Sequence, residues 1–247
     1  PPDAGHARDV VRLVPGERER ADIERAGGFG EVFDAIHRHA PYAHLIERRA
    51  RPLPDTPEEA RTVEGLFALD PGVEVDAIFV DGCKSWYATK HFMRATLAAA
   101  RPGTHVIFQD YGWYTCFWLP AFVYAMGQAL APVAWVDSTY AFQIVEPAIA
   151  DELDGRFPDG PEALGRAWFD RAFAELGDAA ARREDRRGQI VLALQHAAAL
   201  AYLGQTEEAR ERIVAVRRKA RLSELRPLID AALLTPTYRP GGDPVRL

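Results

Sequence analysis

Two short apolar runs, each followed by an aspartate, constrain the fold of this chain more than any other feature. Residues 75–80 (VDAIFV) stop at Asp81, and residues 104–108 (THVIF) stop just before the Gln-Asp pair that contains Asp110. Residues 85–100, between the two runs, carry apolar side chains at helical spacing. A strand, a helix and a second strand in this order predict a parallel βαβ unit. Short, nearly continuous apolar strands also predict a sheet that is covered on both faces.

The two aspartates are predicted to lie at the same edge of that sheet. Ligands of open α/β sheets bind beyond the carboxyl ends of the strands, where both Asp81 and Asp110 fall. The alternative is that each aspartate is a turn residue that caps the helix after it. Lys84 follows Asp81 closely, and it would act as a base if burial lowered its pKa, or would hold an anionic group by its charge. Asp81, Lys84 and Asp110 are therefore the predicted catalytic residues.

The region around these residues resembles the later half of class I S-adenosylmethionine-dependent methyltransferases. It is similar to the branch whose fourth strand ends in D-G-D-H-S-Y and whose fifth ends in D-D-Y after a P-G-G turn. Here the chain reads D-G-C-K-S-W from Asp81 and Q-D-Y from Gln109, after P-G-T from Pro102. The resemblance implies a Rossmann-like, doubly wound α/β fold with a mostly parallel sheet and an antiparallel last strand.

The same resemblance implies the cofactor and the reaction. We expect S-adenosylmethionine to donate a methyl group to an oxygen or nitrogen of a small-molecule acceptor. Cys83 and Gln109 stand where metal-using members of the family have carboxylates that help to bind a divalent cation. We therefore expect no divalent metal in this site.

Four aromatic residues near the strand ends are predicted to bind the substrate. Trp86 and Tyr111 would line the acceptor pocket. Trp113 and Tyr114 would stack on the acceptor or surround the sulfonium by cation–π attraction. The alternative for Trp113 and Tyr114 is plain packing in the protein interior.

The cofactor-binding residues are predicted in the first fifty positions. The family's glycine loop, E-x-G-x-x-x-G, is not found, but Gly28 and Gly30 belong to a glycine cluster that opens a helical pattern over residues 32–39. A flexible turn is the other interpretation of this cluster. Residues 42–47 predict a strand, and the resemblance implies that Glu47 at its end binds the ribose hydroxyls of the cofactor. The alternative is that Glu47 is a solvated charge beside Arg48 and Arg49. Because the chain begins with Pro1 rather than methionine, we expect that its start is missing and that the glycine loop precedes it, is replaced by the cluster or has been lost.

The chain is predicted to have two domains, a Rossmann-like methyltransferase domain over residues 1–150 and a helical extension over residues 151–247. Helical patterns cover about 161–176, 187–203, 206–220 and 222–233. The segment from His196 to about Ala220 resembles a single tetratricopeptide-type helical hairpin. One such hairpin is fewer than the roughly three repeats that a free-standing solenoid needs. We expect it to dock on the sheet domain, on a second copy or on a partner protein.

Composition excludes several classes of function. The net charge of −6 gives no overall attraction to nucleic acid or to an anionic membrane, and we expect neither as a partner. No apolar run reaches the roughly 18–20 residues that a membrane span needs. The two cysteines make neither a disulfide framework nor a metal-ligand spacing, which favours the reducing cytoplasm. Two further functions stay open: a non-catalytic methyltransferase-like module with a helical docking domain, and another Rossmann-like transferase, for example one that uses a nucleotide sugar.

Overall fold

The computed structural model describes residues 29–38, 40–49, 51–146, 149–219 and 223–247. The chain divides into two compact units, Pro1–Arg51 and Pro52–Leu247. The described part of the first unit contains helix α1 (Phe29–His37) and a 3-10 turn (Ala43–Leu45). The elements of the second unit are, in chain order, α2 (Pro57–Thr62), β1 (Val75–Val80), α3 (Trp86–Leu97), β2 (Ala100–Phe108), α4 (Trp118–Met126), β3 (Leu130–Val136), β4 (Thr139–Ile144), α5 (Ile149–Arg156), α6 (Gly165–Arg182), α7 (Arg186–Tyr202), α8 (Thr206–Lys219), α9 (Arg226–Leu234), β5 (Thr237–Tyr238) and β6 (Pro244–Val245).

The main sheet of the second unit has four strands in the order β1-β2-β4-β3. Strands β1 and β2 are parallel and are joined by α3, which confirms the predicted βαβ unit. Strand β4 is antiparallel to both of its neighbours, β2 and β3. Strands β1, β2 and β3 therefore run in one direction, and the last of the four strands runs against them. The predicted mixed sheet with an antiparallel last strand is confirmed at this level.

Helices of the second unit cover one face of this sheet, whereas the apolar pattern predicted cover on both faces. On β1, Ile78 and Val80 are buried, while Ala77 and Phe79 between them are exposed, Phe79 by 56%. The buried face continues through β2 with Val106. A core cluster lies between the buried face and helices α3 to α7.

The helical extension shares the core of the sheet. Phe157, Phe169 and Phe173 belong to the same buried cluster as Phe108 of β2. The predicted domain boundary near residue 150 therefore falls inside the second compact unit. Helices α7 and α8 form the predicted helical hairpin, and its turn contains Gly204 at a φ of 84°. A second cluster of buried residues lies among α7, α8, α9 and the C-terminal strands.

Two predicted elements differ from the structure. Residues 42–47 do not form a strand but a 3-10 turn followed by extended chain without a sheet partner among the described residues. The pattern that begins at Pro57 predicts a helix to about Leu69. Helix α2 instead ends at Thr62, because Val63 adopts an extended conformation and Gly65 has a positive φ of 66°. Across the described ranges, no helix is both long and apolar enough to cross a membrane.

Candidate functional site

The loops that follow β1 and β2 lie side by side at the carboxyl edge of the sheet. The backbone N–H of Gln109 donates to the carbonyl oxygen of Val80 at 3.0 Å, which extends the parallel pairing to the strand ends. This bond holds the segment around Asp81 next to the segment around Asp110. The sequence prediction that both aspartates reach the same edge is consistent with this geometry.

A charged group forms where the two loops meet. The ammonium of Lys84 makes a short ion pair with Asp110 Oδ2, and its Nζ lies 3.7 Å from Asp81 Oδ1. The Asp110 side chain is 24% exposed, whereas the side chains of Asp81 and Lys84 are more than half exposed. The structure thus brings all three predicted catalytic residues together, and Asp81 is the carboxylate most open to a ligand.

Lys84 is held in its charged form. Partial burial acts to lower its pKa, but the hydrogen bond and negative charge of Asp110, with smaller effects of Cys116 and Asp81, outweigh burial and raise the pKa of Lys84. A base role for this lysine required a lowered pKa. The geometry instead favours Lys84 as a fixed positive charge between two carboxylates.

Neither aspartate caps a helix, which was the alternative interpretation of their position. Helix α3 is capped by Ser85, whose hydroxyl accepts from the backbone N–H of Ala88 at 3.1 Å. Helix α4 begins after Phe117 and has no side-chain cap. Asp81 and Asp110 are therefore free of the local structural role that strand-end aspartates often have.

Both cysteines near the site are buried. Cys83 lies in the loop after β1, and its carbonyl oxygen accepts a hydrogen bond from Trp118 Nε1 at 3.2 Å. Burial raises the pKa of the Cys83 thiol and that of the Cys116 thiol to about 12. Since the thiolate is the nucleophilic form of cysteine, neither side chain is suited to covalent catalysis.

Three of the four aromatic residues predicted to bind substrate, Trp86, Tyr111 and Tyr114, are buried. Trp86 is 3% exposed, stacks on Phe157 with ring centroids 3.9 Å apart, and donates its indole N–H to the carbonyl oxygen of Pro158 at 2.8 Å. Tyr114 is 7% exposed and belongs to the buried cluster of the C-terminal helices. For Tyr114 the packing alternative describes the structure.

Tyr111 and Trp113 differ in their exposure to solvent. Tyr111 is buried, with its ring centroid 4.5 Å from that of Tyr140, and burial raises the pKa of its hydroxyl. Trp113 is 44% exposed, with its ring centroid 5.6 Å from that of Tyr114. Of the four predicted residues, Trp113 presents the most accessible aromatic surface beside the strand ends.

A small cleft adjoins the loop after β1. It has a volume of about 230 Å³ and is lined by the N-terminal residues of α3, by the segment before α2 and by the chain near residue 160. Its charged lining residues are all acidic, and its aromatic ones include Trp86 at the cleft wall. The acidic lining residues are Asp55, Glu58, Asp159 and Glu162, and the aromatic ones are Trp86, Tyr87, Trp118, Tyr202 and Tyr238.

The sequence prediction missed the helix that supports the loop after β2. Gln195 of α7 is fully buried, and its Nε2 donates to the carbonyl oxygens of Tyr111 at 2.7 Å and Trp113 at 2.9 Å. Asp185, at the start of the same helix, accepts a hydrogen bond from the Tyr140 hydroxyl at 2.8 Å. No local signal identifies these contacts, because Gln195 lies 84 residues from Tyr111 in the chain.

The predicted cofactor residues belong to the first unit and are described separately. Gly28 lies outside the described residues, and Gly30 is the second residue of α1. Glu47 is exposed and pairs with Arg49, with Glu47 Oε1 2.7 Å from Arg49 Nε. The expectation that Glu47 ends a strand is wrong, since the chain before it forms a 3-10 turn.

Among the residues that the structure describes, no group of three or more histidine, cysteine, aspartate or glutamate side chains is placed to hold a metal ion. Comparison of the chain with protein-family models, with curated proteins and with solved structures found no match.

Proposed function

We propose that this protein transfers a methyl group from S-adenosylmethionine to an oxygen or nitrogen of a small molecule. The observation that carries the proposal is the placement of Asp81 and Asp110 at the carboxyl ends of two adjacent parallel strands, where neither caps a helix. Ligands of α/β sheets bind at this edge. The resemblance of the same segment to class I methyltransferases indicates methyl transfer as the reaction.

Each residue of the charged group has a role in this proposal. S-adenosylmethionine, when bound, supplies the electrophilic methyl group on its sulfonium. Asp81 accepts the proton that the acceptor oxygen or nitrogen loses, since its carboxylate is the more open of the two. Asp110 and Lys84 pair with each other, and the lysine charge limits repulsion between the two carboxylates.

The small cleft beside the loop after β1 suits a positively charged ligand. Its charged lining residues are carboxylates, of which Asp159 pairs with the buried Lys90, and aromatic rings form much of the rest. Carboxylates and aromatic faces both attract a cation such as a sulfonium or a protonated amine. This composition supports the cofactor that we propose, and it would equally hold an amine acceptor.

The fold supports the proposal at a coarse level. A parallel βαβ unit beside an antiparallel pair is the arrangement that the methyltransferase resemblance implies for a Rossmann-like domain. We propose that residues 52–146 are the later part of such a domain and that it acts in the cytoplasm. In this proposal the C-terminal helices support the site and carry any contact with a second copy or a partner protein.

Calorimetric titration tests the cofactor. We expect the full chain to bind S-adenosylmethionine and its demethylated product S-adenosylhomocysteine with micromolar dissociation constants. Absence of binding to the folded chain would reject the proposal and favour a non-catalytic module. Binding of a nucleotide sugar in place of S-adenosylmethionine would favour another Rossmann-like transferase.

A matched pair of variants tests the catalytic assignment. Asp81→Asn should lower the transfer of labelled methyl groups to a mixture of small phenols and amines by about a hundredfold or more, with cofactor affinity unchanged. Asp76→Asn is the control, because Asp76 lies on the same strand but is 87% exposed and pairs with Arg101. Equal turnover in the two variants would remove Asp81 from the mechanism.

A further inference from the structure

A groove of about 750 Å³ lies between the β3–β4 hairpin and the helices that face it. Its floor is formed by side chains of β3 and β4, and its walls are formed by α4 and α6. The volume is within the range of roughly 300–1,000 Å³ that is typical of small-molecule sites. Asp81, Lys84 and Asp110 do not line it, although Tyr111, the residue after Asp110, does.

The groove is rich in aromatic surface. Trp135 of β3 and Tyr140 of β4 are cross-strand neighbours at one end, where Tyr111 also contributes. Tyr124 and Trp168 pack edge to face further along, with ring centroids 5.3 Å apart and planes at 83°. Aromatic walls of this kind favour planar ring systems, which stack on them or meet them edge to face.

The charges in the groove favour an anion. Three arginines and one glutamate line it. Arg156 is neutralised by an ion pair with Glu152 outside the groove, and Arg171 and Glu175 both interact with the Tyr124 hydroxyl.

Arg183 differs from these residues. Its guanidinium lies over the Trp135 ring, 5.6 Å from the ring centroid, and no carboxylate within the described ranges lies at ion-pair distance from it. An anionic group beside the indole would therefore meet a positive charge that is already positioned.

A second copy of the chain fits this groove less well than a small molecule does. Strand β3 is an edge of the described sheet, but Pro132 lies within it and the pairing is irregular between Pro132 and Ala134. Proline and bulges on an edge strand are features that block the addition of another strand.

We propose that this groove binds a planar aromatic molecule that carries a carboxylate or sulfonate, with the rings along the aromatic walls and the anionic group at Arg183. The site is distinct from the small acidic cleft, whose charge would repel such a ligand. It gives the protein a second, oppositely charged binding site.

Two fluorescent probes that differ by one anionic group test the proposal on the full chain. The first is 1-anilinonaphthalene-8-sulfonate, and the second is N-phenyl-1-naphthylamine, which has the same rings without the sulfonate. We expect the sulfonate probe to bind the native protein at one site per chain. Non-saturable binding, or binding that appears only in urea, would overturn the proposal.

Neighbouring arginines supply a matched pair of variants. Arg183→Gln should raise the dissociation constant of the sulfonate probe about three- to tenfold, as expected for the loss of one partly exposed ion pair. The dissociation constant of the neutral probe should change by less than about twofold. Arg182→Gln is the control, since Arg182 is the last residue of α6 and does not line the groove. Equal weakening by both variants would show only a general charge effect and would overturn the anion site.

A groove-filling variant separates a ligand site from an interface. Ala179→Trp, on the wall of the groove, should weaken the binding of both probes. Near-ultraviolet circular dichroism serves as the control that the variant keeps native packing. Unchanged binding in that variant would place the probes elsewhere and reject the groove. Sedimentation velocity that shows a dimer, dissociated by Ala179→Trp, would reject the small-molecule site in favour of a second copy.

Discussion

Replacing Gly112 with alanine should destabilise the protein because the loop after β2 touches the β3–β4 turn. The Gly112 N–H donates to the carbonyl oxygen of Ser138 at 2.8 Å. A Cβ added at Gly112 would lie 2.8 Å from the Cα of Ser138, closer than such atoms approach in folded proteins. Because the neighbour is backbone, either the loop or the hairpin must move.

The loss of stability in Gly112→Ala can be compared with the effect of the same substitution at Gly82. Overpacking of this kind costs about 1–3 kcal/mol, and loss of glycine's freedom in the unfolded chain returns about 0.4–1 kcal/mol. A Cβ at Gly82, after the other aspartate, would meet nothing within 4 Å. Gly82→Ala should therefore show only the stabilisation that comes from the reduced freedom of the unfolded chain. Gly112→Ala should therefore be less stable than Gly82→Ala by about 1–3 kcal/mol.

Urea unfolding followed by tryptophan fluorescence measures this difference. With a denaturant dependence of about 2 kcal/mol per molar urea, the midpoints of the two variants should differ by about 0.5–1.5 M. Equal midpoints would refute the contact between the site loop and the hairpin. Matched circular dichroism spectra at zero urea serve as the control that both variants fold.

Three other predictions follow from burial and charge. Phe122→Ala should cost about 3–5 kcal/mol in urea unfolding, because Phe122 is fully buried, whereas Phe79→Ala, at a position that is 56% exposed, should cost well under half of that. Burial and, to a smaller extent, the nearby Arg212 charge lower the pKa of His196, and they outweigh the opposite effect of Asp170. Neutral His196 therefore stabilises the fold above the unfolded pKa of 6.5, and this contribution is lost as the pH falls. The free energy of unfolding of the wild type should decrease between about pH 7 and 5 more steeply than that of His196→Gln. Because the pKa of each thiol is raised to about 12, neither cysteine should react with a thiol reagent at pH 8 until urea is added, and rapid labelling of Cys83 in the native protein would contradict its burial.

The sequence predicts β1 with its correct bounds because the signal is local. Residues 75–80 are apolar or β-branched at most positions, and Asp81-Gly82 ends the run. The same pattern does not reveal that only alternate side chains are covered within the second unit. Cover depends on which other segments reach the sheet, and that information is not local.

Residues 42–47 show the opposite case. Their apolar and aromatic content predicts a strand, but Tyr42 is 50% exposed and Leu45 is 76% exposed in a 3-10 turn. A strand is stabilised by its neighbours in a sheet, so propensity alone does not form one. The ribose-binding role expected for Glu47 depended on that strand and loses its structural basis.

The sequence predicts where the candidate site residues lie when their position depends on topology, but not when it depends on packing. Parallel strands must bring their carboxyl ends to one edge, so Asp81 and Asp110 meet whatever the side chains between them. The direction in which an aromatic ring points is decided by distant partners. Trp86 turns inward because Phe157 offers a stacking surface and the Pro158 carbonyl accepts its indole N–H.

The helical extension contributes to the site as well as to the core. A single helix, α7, fixes the backbone after Asp110 through Gln195 and orders the β3–β4 hairpin through Asp185 and through Arg187, whose guanidinium lies 2.8 Å from Asp137. With α7 in place, the loop is anchored on both sides, by the sheet and by a helix. The contacts that dock the extension on the sheet are therefore also the contacts that support the site. A substitution on the surface of α7 that faces the loop would change the position of Asp110.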